Sequence, residues 1–585
     1  MPKTIATIFV ILVVALTITA PFVSAQEAQQ SLTDSIIARV DKLFAQWDKP
    51  DCPGCALGIV KDGQLIYKRG YGMANLDYNI PISSKSVLEI ASMVKQFVGM
   101  SILLLARQGK LSLDDEIQKY LPEIPRYQSP ITIRHLIHHT SGIRSHYALA
   151  AFGGIASFDL TDADYLGLIA RQKELNFKPG EEYLYTDTAY FLLGLIVQKV
   201  SGKSVHEFAG ENIFKPLGMT NTILEVDQAL PVRNQATSYA PGSNGGFSVA
   251  TKKLHGEMAT TVEDLYLWDQ NFYNNKLGGG PDLIREQLST SMLNNGEELH
   301  YAVGLGIAEF KGLKRIGHTG EGGGFTSAMR RFPEQNFSVI CLCNADNIDP
   351  DRLVSQVADI FLVDQFKQGA GDVSETVPAP PVSIPEKQLA SLTGIYFDPI
   401  TTDSHRFYMK DGKLMLFNSV LSPLGQNRFK KIGGPGAPVE IVFVPPIAGR
   451  PMQEKVIWGG KTRRTYDAVQ SVTLTSDQLA EFTGKYVSDE LGGATYTLSI
   501  KEGKLVMEVR NGITVSSDSG QVLAVTQAFW SKTPKDILLT PEFADAFVYG
   551  DSDRRRVRFT RNQQNAISGF TLSNSVARRV RFNKP

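Results

Sequence analysis

The sequence predicts a large α+β unit, whose sheet is closed by its last strands, followed by two small antiparallel β-barrels. Three observations point to that division. Strand patterns stand at Cys55–Lys61 and Leu65–Tyr67 and return at Tyr301–Glu309, Ser327–Phe332 and Phe337–Asn344, with mostly helical sequence from about 92 to 300 between them. A proline-rich stretch, Val377-Pro-Ala-Pro-Pro-Val-Ser-Ile-Pro385, then interrupts the chain, because proline at that density suits neither helix nor sheet. Beyond it Leu389-Ala-Ser-Leu-Thr-Gly-Ile-Tyr396 recurs 90 residues later as Leu479-Ala-Glu-Phe-Thr-Gly-Lys-Tyr486. Asp411-Gly-Lys-Leu414 recurs as Glu502-Gly-Lys-Leu505 at an offset of 91, so two anchors share one period.

Element by element, Ala56–Val60 and Leu65–Tyr67 flank Asp62-Gly63, a hairpin turn signal. Gln96 to Arg107 is apolar almost all round, which marks a buried helix, and Gly109 suits its left-handed end. A second helix is expected over Tyr190–Val200, and Thr260-Thr261 before Glu263-Asp264 reads as a helix start with favourable charges. Short alternating strands within each repeat copy predict the barrels, which carry no catalytic constellation. The expected boundaries are a leader over 1–25, the α+β unit over 26–368, a linker over 369–385, and barrels over 386–472 and 473–585.

Composition narrows the class. Apolar residues make up 43% and charged residues 21%, ordinary for a globular protein and unlike a disordered chain. Lys plus Arg and Asp plus Glu are both 60, and a zero balance argues against a nucleic-acid partner. That zero is a cancellation, since Arg554 to Pro585 holds eight Arg and one Lys with no Asp or Glu. The stretch reads as alternating arginines on exposed barrel strands that discourage edge pairing, or as a basic surface facing anionic envelope polymers.

Lys3, the apolar run Ile5–Ala20 and Val23-Ser-Ala25 describe a secretory signal cleaved after Ala25, so the mature chain is expected to be exported, periplasmic or secreted. No later run of 18 apolar residues predicts a membrane span. Four cysteines cannot form a disulfide scaffold at this length. The Cys52–Cys55 pair reads as buried thiols or a structural disulfide, and Cys341 and Cys343 alternate along a strand, a poor zinc spacing. His135 and His139 lie four apart on a helix, but no acidic partner follows, so neither metal nor cofactor is expected.

The chemistry concentrates in three motifs. Ser92-Met-Val-Lys95 opens the buried helix, and a spacing of three puts Ser92 and Lys95 on one face. A neutral Lys95, its pKa lowered by burial, would take the hydroxyl proton of Ser92. Alone the motif is weak, equally an N-cap serine and a surface lysine. Its partners are Tyr185-Thr-Asp187 before the second helix and Gly317-His-Thr-Gly320 before the glycine-rich Gly320-Glu-Gly-Gly-Gly324. Those glycines read as a close backbone approach rather than a phosphate cradle.

Ser-x-x-Lys, a tyrosine motif and a Lys-Thr-Gly-like motif in this order resemble the penicillin-recognising serine hydrolases, and Ile131-Thr-Ile-Arg-His-Leu-Ile-His-His-Thr-Ser-Gly142 is similar to the branch of class C β-lactamases, D-aminopeptidases and esterases. The resemblance covers about residues 35 to 365. It implies a β-lactamase-like fold, Ser92 as nucleophile, Lys95 as its neighbouring base, Tyr185 as second acid/base, and an oxyanion hole from the N–H groups of Ser92 and Glu321. His318 then joins the catalytic residues, and Asp187, Thr319, Gly320 and Glu321 flank the substrate.

Two departures bear on specificity. His318 replaces the lysine that helps hold a substrate carboxylate, and histidine is mostly neutral at pH 7. Asp187 replaces an asparagine, so it accepts but does not donate. It would keep Lys95 protonated and shift base work to Tyr185, or attract a substrate ammonium. Both disfavour β-lactamase activity. The expected activity is an acyl-enzyme hydrolase of small or D-residue peptides, D-aminopeptidase-like. An esterase is the alternative within the class, and a penicillin- or cell-wall-binding protein with little turnover the alternative outside it.

Overall fold

The computed structural model describes residues 33–155, 160–224, 231–243, 245–251, 258–367, 384–417, 419–431, 439–458, 460–510, 514–516, 522–524, 537–549 and 555–585. The expected signal sequence and nearly all of the expected linker lie outside these residues. No helix among the described residues is long and apolar enough to cross a membrane.

The first sheet contains β1 (Cys55–Lys61), β2 (Gln64–Tyr71), β3 (Gly306–Phe310), β4 (Leu313–Gly322), β5 (Phe325–Phe332) and β6 (Phe337–Cys343). Their order is β3-β4-β5-β6-β1-β2, all neighbours antiparallel, so the chain leaves after the first hairpin and returns to close the sheet. The β1–β2 turn has Asp62 at φ 49° and Gly63 at 78°, the positive angles that Asp-Gly supplies. Tyr301 makes only an isolated bridge to Gly306, so β3 starts later than the apolar pattern suggests.

Helices α1 (Asp34–Phe44) and α6 (Pro350–Leu362) cover one face, packing Val40, Phe44, Val354 and Val357 against Leu57, Ile59 and Val339. The other face meets α2 (Lys95–Arg107), α3 (Ile133–Ile137), α4 (Asp187–Ser201) and α5 (Val262–Asn271). The α2 helix is buried on nearly every side, and Gly109 takes φ 69° just beyond it. Thr261 caps α5 by accepting from the Asp264 N–H at 3.1 Å, the helix start its sequence announces.

The β1–β6 register sets Cys55 opposite Cys343, and these two form a disulfide across 288 residues. The Cys52–Cys55 pairing considered from sequence is therefore corrected: Cys55 faces the neighbouring strand, and Cys52 and Cys341 stay free. Cys341 lies beside the bridge, with its thiol 3.6 Å from the Cys343 sulfur.

Two closed eight-stranded barrels follow, running from Gly394–Asp398 to Lys461–Val469 and from Gly484–Ser488 to Val580–Asn583. The repeat is physical: a short helix leads into each barrel, Gly394 and Gly484 share φ near 137° and 135°, and Asp411 and Glu502 share 51° and 50°. Tyr396 and Tyr486 donate to the carbonyls of Leu392 and Phe482, four residues back in each copy.

Closure removes the free edges that the C-terminal arginines were expected to protect. Instead Arg556 bonds Asp403 and Glu542, Arg561 bonds Asp545 and Glu481, and Arg578, Arg579 and Arg581 reach Glu182 and Glu174 of the α+β domain. Four of these five arginines thus make contacts between domains, while Arg561 pairs within the second barrel. Apolar packing accompanies it, with Leu149, Phe152, Tyr165 and Leu168 joining the core of the second barrel.

Candidate active site

Ser92 lies in a short 3-10 turn, Ala91–Val94, that runs directly into α2. Ala91 holds φ 44°, an uncommon angle for a residue with a Cβ, so the backbone is strained beside the serine. The turn packs on β4, where a Cβ on Gly320 would stand 2.0 Å from the Ile90 carbonyl oxygen and 2.6 Å from Ser327 Oγ. Ser327 donates to that same carbonyl at 2.9 Å. Close backbone approach is thus the reason for Gly320. A second such approach went unread in the sequence: Gly304, at φ 73°, leaves a Cβ only 2.5 Å from the Lys95 carbonyl.

The Lys95 ammonium bridges two partners, donating to Ser92 Oγ at 3.0 Å and to Asp187 Oδ1 at 2.7 Å. Lys95 is buried, whereas Asp187, first residue of α4, keeps 40% of its side chain exposed. Of the two states considered from the sequence, a neutral Lys95 and one kept protonated by Asp187, this geometry fits the second. Burial alone drives it toward the free amine, but Tyr185 and Asp187 outweigh that and hold its pKa above the ordinary lysine value. The Tyr185 hydroxyl is buried with no partner at hydrogen-bond distance among the described residues, and the Lys95 ammonium lies 5.1 Å from its ring centre. Burial raises the Tyr185 pKa, Lys95 opposes this, and Asp187 adds to the rise.

His318 is drawn in by the sheet but occupied on both sides. Nδ1 donates to the Thr319 carbonyl at 2.5 Å, and Nε2 accepts from Tyr301 Oη at 3.1 Å. Burial, then Lys95, pushes its pKa down to about 3, so the ring is neutral throughout the physiological range. With both ring nitrogens engaged, His318 has no free ring nitrogen for proton transfer in this geometry and stands as a neutral group beside Tyr185. Tyr301 escaped sequence reasoning, because a tyrosine in a short apolar run reads as core.

The histidine triplet is structural. His135 Nδ1 accepts from the Thr132 N–H at 3.1 Å to complete a helix cap, and His138 Nδ1 donates to the Tyr301 carbonyl at 3.0 Å. His139, at φ 56°, accepts from the Thr186 N–H at 3.2 Å and packs 4.4 Å from the Tyr185 ring. Among the described residues the one group with metal-ligand spacing is Cys55, Cys341 and Cys343, two of whose sulfurs are already bonded to each other.

Thr319 and Glu321 follow His318 along β4, Glu321 exposed and paired in register with Thr326. The β3 register ends at Gly306–Gly317, so no neighbouring strand among the described residues covers β4 beyond that point on the same side.

Comparison with known proteins agrees with this arrangement. Residues 40–360 match the Beta-lactamase family, more than half of the 585 residues. "Protein flp" of Staphylococcus aureus (strain N315) is 28% identical over 335 residues, 56% of this chain and 66% of the relative, so the chain spans just under two thirds of that relative's length. "Penicillin-binding protein 4*" of Bacillus subtilis (strain 168) is 26% identical over 405 residues, 63% of this chain and 85% of the relative. The octameric penicillin-binding protein homologue from Pyrococcus abyssi shares the fold at TM-score 0.50 and 21% identity, over 81% of this chain and 98% of its own. A family match across the α+β domain, together with the sheet and helices that bring the three motifs to one place, makes this chain a member of the beta-lactamase family of penicillin-recognising serine hydrolases.

Proposed function

We propose that this protein is an exported hydrolase that acylates Ser92 and cleaves amide bonds of small or D-residue peptides with a free amino end. The observation that carries the reading is Lys95, held between Ser92 and Asp187. In the resting site Lys95 is an ammonium and Tyr185 a phenol, since both pKa values lie above their ordinary positions. Loss of one proton from this pair creates the base. Ser92 then attacks the carbonyl, its proton passes to the pair, and the pair returns a proton to the leaving amine. The N–H groups of Ser92 and Glu321 are the proposed oxyanion donors, and such donors contribute about 3 kcal/mol each to the transition state. Water repeats the sequence to release the acid.

Charge supports the choice of substrate. Lys95 is neutralised by Asp187, His318 is neutral, and Glu321 is exposed at the rim, so the site offers no free cation to a substrate carboxylate among these residues. Asp187, partly exposed, suits a substrate ammonium. The esterase reading uses the same machinery, and the binding-protein reading keeps the acylation step without the release. Polymer binding by the C-terminal arginines has less support, since five of them are engaged in the ion pairs described above. The test is steady-state turnover of D- and L-aminoacyl anilides, short-chain p-nitrophenyl esters and a chromogenic cephalosporin. D-aminoacyl anilides are expected to be the best substrates and Ser92→Ala to abolish turnover with an unchanged fold; rapid cephalosporin hydrolysis overturns the reading.

A further inference from the structure

Tyr185 sits at the end of a segment, Glu182 to Thr186, that has no regular secondary structure. Its backbone is tied by Gly180 N–H to the Thr140 carbonyl at 2.8 Å, Leu184 N–H to the His139 carbonyl at 2.9 Å, and Thr186 N–H to His139 Nδ1, while the Gly180 carbonyl accepts from the Asn294 N–H at 2.8 Å. Between the first two ties stands Glu182, whose carboxylate is gripped from outside the domain. Arg464 of the first barrel bonds it directly, and Arg578 of the second reaches it at 3.2 and 3.3 Å through its two terminal nitrogens. All three side chains are at least two-thirds buried, with Glu182 only 12% and Arg578 only 7% exposed. The grip is itself braced. The Arg578 N–H donates to Asn176 Oδ1 at 2.8 Å, and Arg579 donates to the carbonyls of Leu175 and Asn176 just upstream of the segment. A partly open pocket of about 120 Å³ lies beside the two arginines, Arg464 and Arg578.

We propose that Glu182 is a positioning residue for Tyr185, and that the two barrels, through Arg464 and Arg578, hold the tyrosine segment in its working place. The inference rests on the functional reading above, in which Tyr185 handles protons. It assigns the barrels a part in catalysis: neither barrel reaches the chemistry through these arginines, yet both fix the backbone three residues from the proposed proton carrier. An error of about 1 Å in a reacting group lowers rate by up to a hundredfold, and that sensitivity makes the grip measurable.

The experiment compares Glu182→Gln, Glu182→Asp, the separate variants Arg464→Gln and Arg578→Gln, Tyr185→Phe and Arg463→Ala. Arg463 pairs with Glu297 rather than with Glu182 across the same domain boundary, so it reports docking that does not pass through the Glu182 carboxylate. Rates are measured with D-alanyl p-nitroanilide and p-nitrophenyl acetate, and Ser92 reactivity with a fluorophosphonate probe, alongside thermal melting. Expected are a roughly tenfold lower kcat and labelling rate for Glu182→Gln, a KM within about twofold, partial rescue by Glu182→Asp, and no change for Arg463→Ala. If Glu182→Gln fails to fold, the two arginine variants must show the same kcat loss. An inactive Tyr185→Phe beside unchanged kcat in Glu182→Gln overturns the positioning role alone. Equal losses in Glu182→Gln and Arg463→Ala also overturn it, because docking in general would then be responsible. Full activity in Tyr185→Phe, or no Ser92 labelling in the unaltered protein, overturns the functional reading beneath it.

Discussion

At the scale of single residues, the ion pair between Lys95 and Asp187 decides the protonation of the site. Two groups with raised pKa values give an activity that climbs as pH rises above neutrality, because the working form has lost one proton from the Lys95–Tyr185 pair. Asp187→Asn removes a charge that stabilises the ammonium, so the acid limb of kcat/KM should move down by about one pH unit. A pH–rate profile in which the limb stays put or moves up contradicts this. Buried histidines set the opposite acid limit on stability. Burial pushes His138 and His146 down to about 4 and His318 to about 3. The unfolded chain therefore binds protons that the folded chain refuses once pH falls below about 6.5, and stability is lost in that direction. At pH 5 each such group costs about 2 kcal/mol, a loss that melting temperatures between pH 7 and 5 will register.

At the scale of elements, motif spacing reports which element carries each group but not how closely the elements approach. The α2 helix, the β1–β2 hairpin and the cap of α5 follow local rules, and the structure has them where apolar period, Asp-Gly and Thr261 put them. The contact of β4 with the Ser92 turn is not local. Gly320→Ala places a methyl carbon 2.0 Å from the Ile90 carbonyl, so strand or turn must shift. At least a hundredfold loss of activity is expected, read as kcat/KM on a folded variant confirmed by circular dichroism. The disulfide belongs to the same class, because the pairing of Cys55 with Cys343 follows from strand register across 288 residues.

At the scale of the whole molecule, the domains share buried charges. Arg144 donates to Glu490 of the second barrel at 2.8 Å with side-chain exposures of 1% and 3%, and Glu490 also accepts from the Lys173 and Arg581 backbone N–H groups. Removing one partner of such a pair leaves the other uncompensated, so Arg144→Ala should cost about 3–5 kcal/mol in denaturant unfolding. A loss below about 1 kcal/mol would show that the apolar contact of Leu149 and Phe152 carries the interface instead.

The sequence by itself determined the nucleophile motif, the order of the three motifs, the α+β domain and the twofold barrel repeat, because each rests on local spacing, periodicity or self-similarity. Only the tertiary structure decided what surrounds those groups. Lys95 is charged because α4 delivers Asp187 to it, and His318 is neutral because burial and the neighbouring Lys95 ammonium disfavour a second charge there. The C-terminal arginines serve domain contacts because closed barrels turn them toward glutamates hundreds of residues away. Protonation, strand register and domain docking depend on long-range neighbours, and a linear sequence does not display those neighbours.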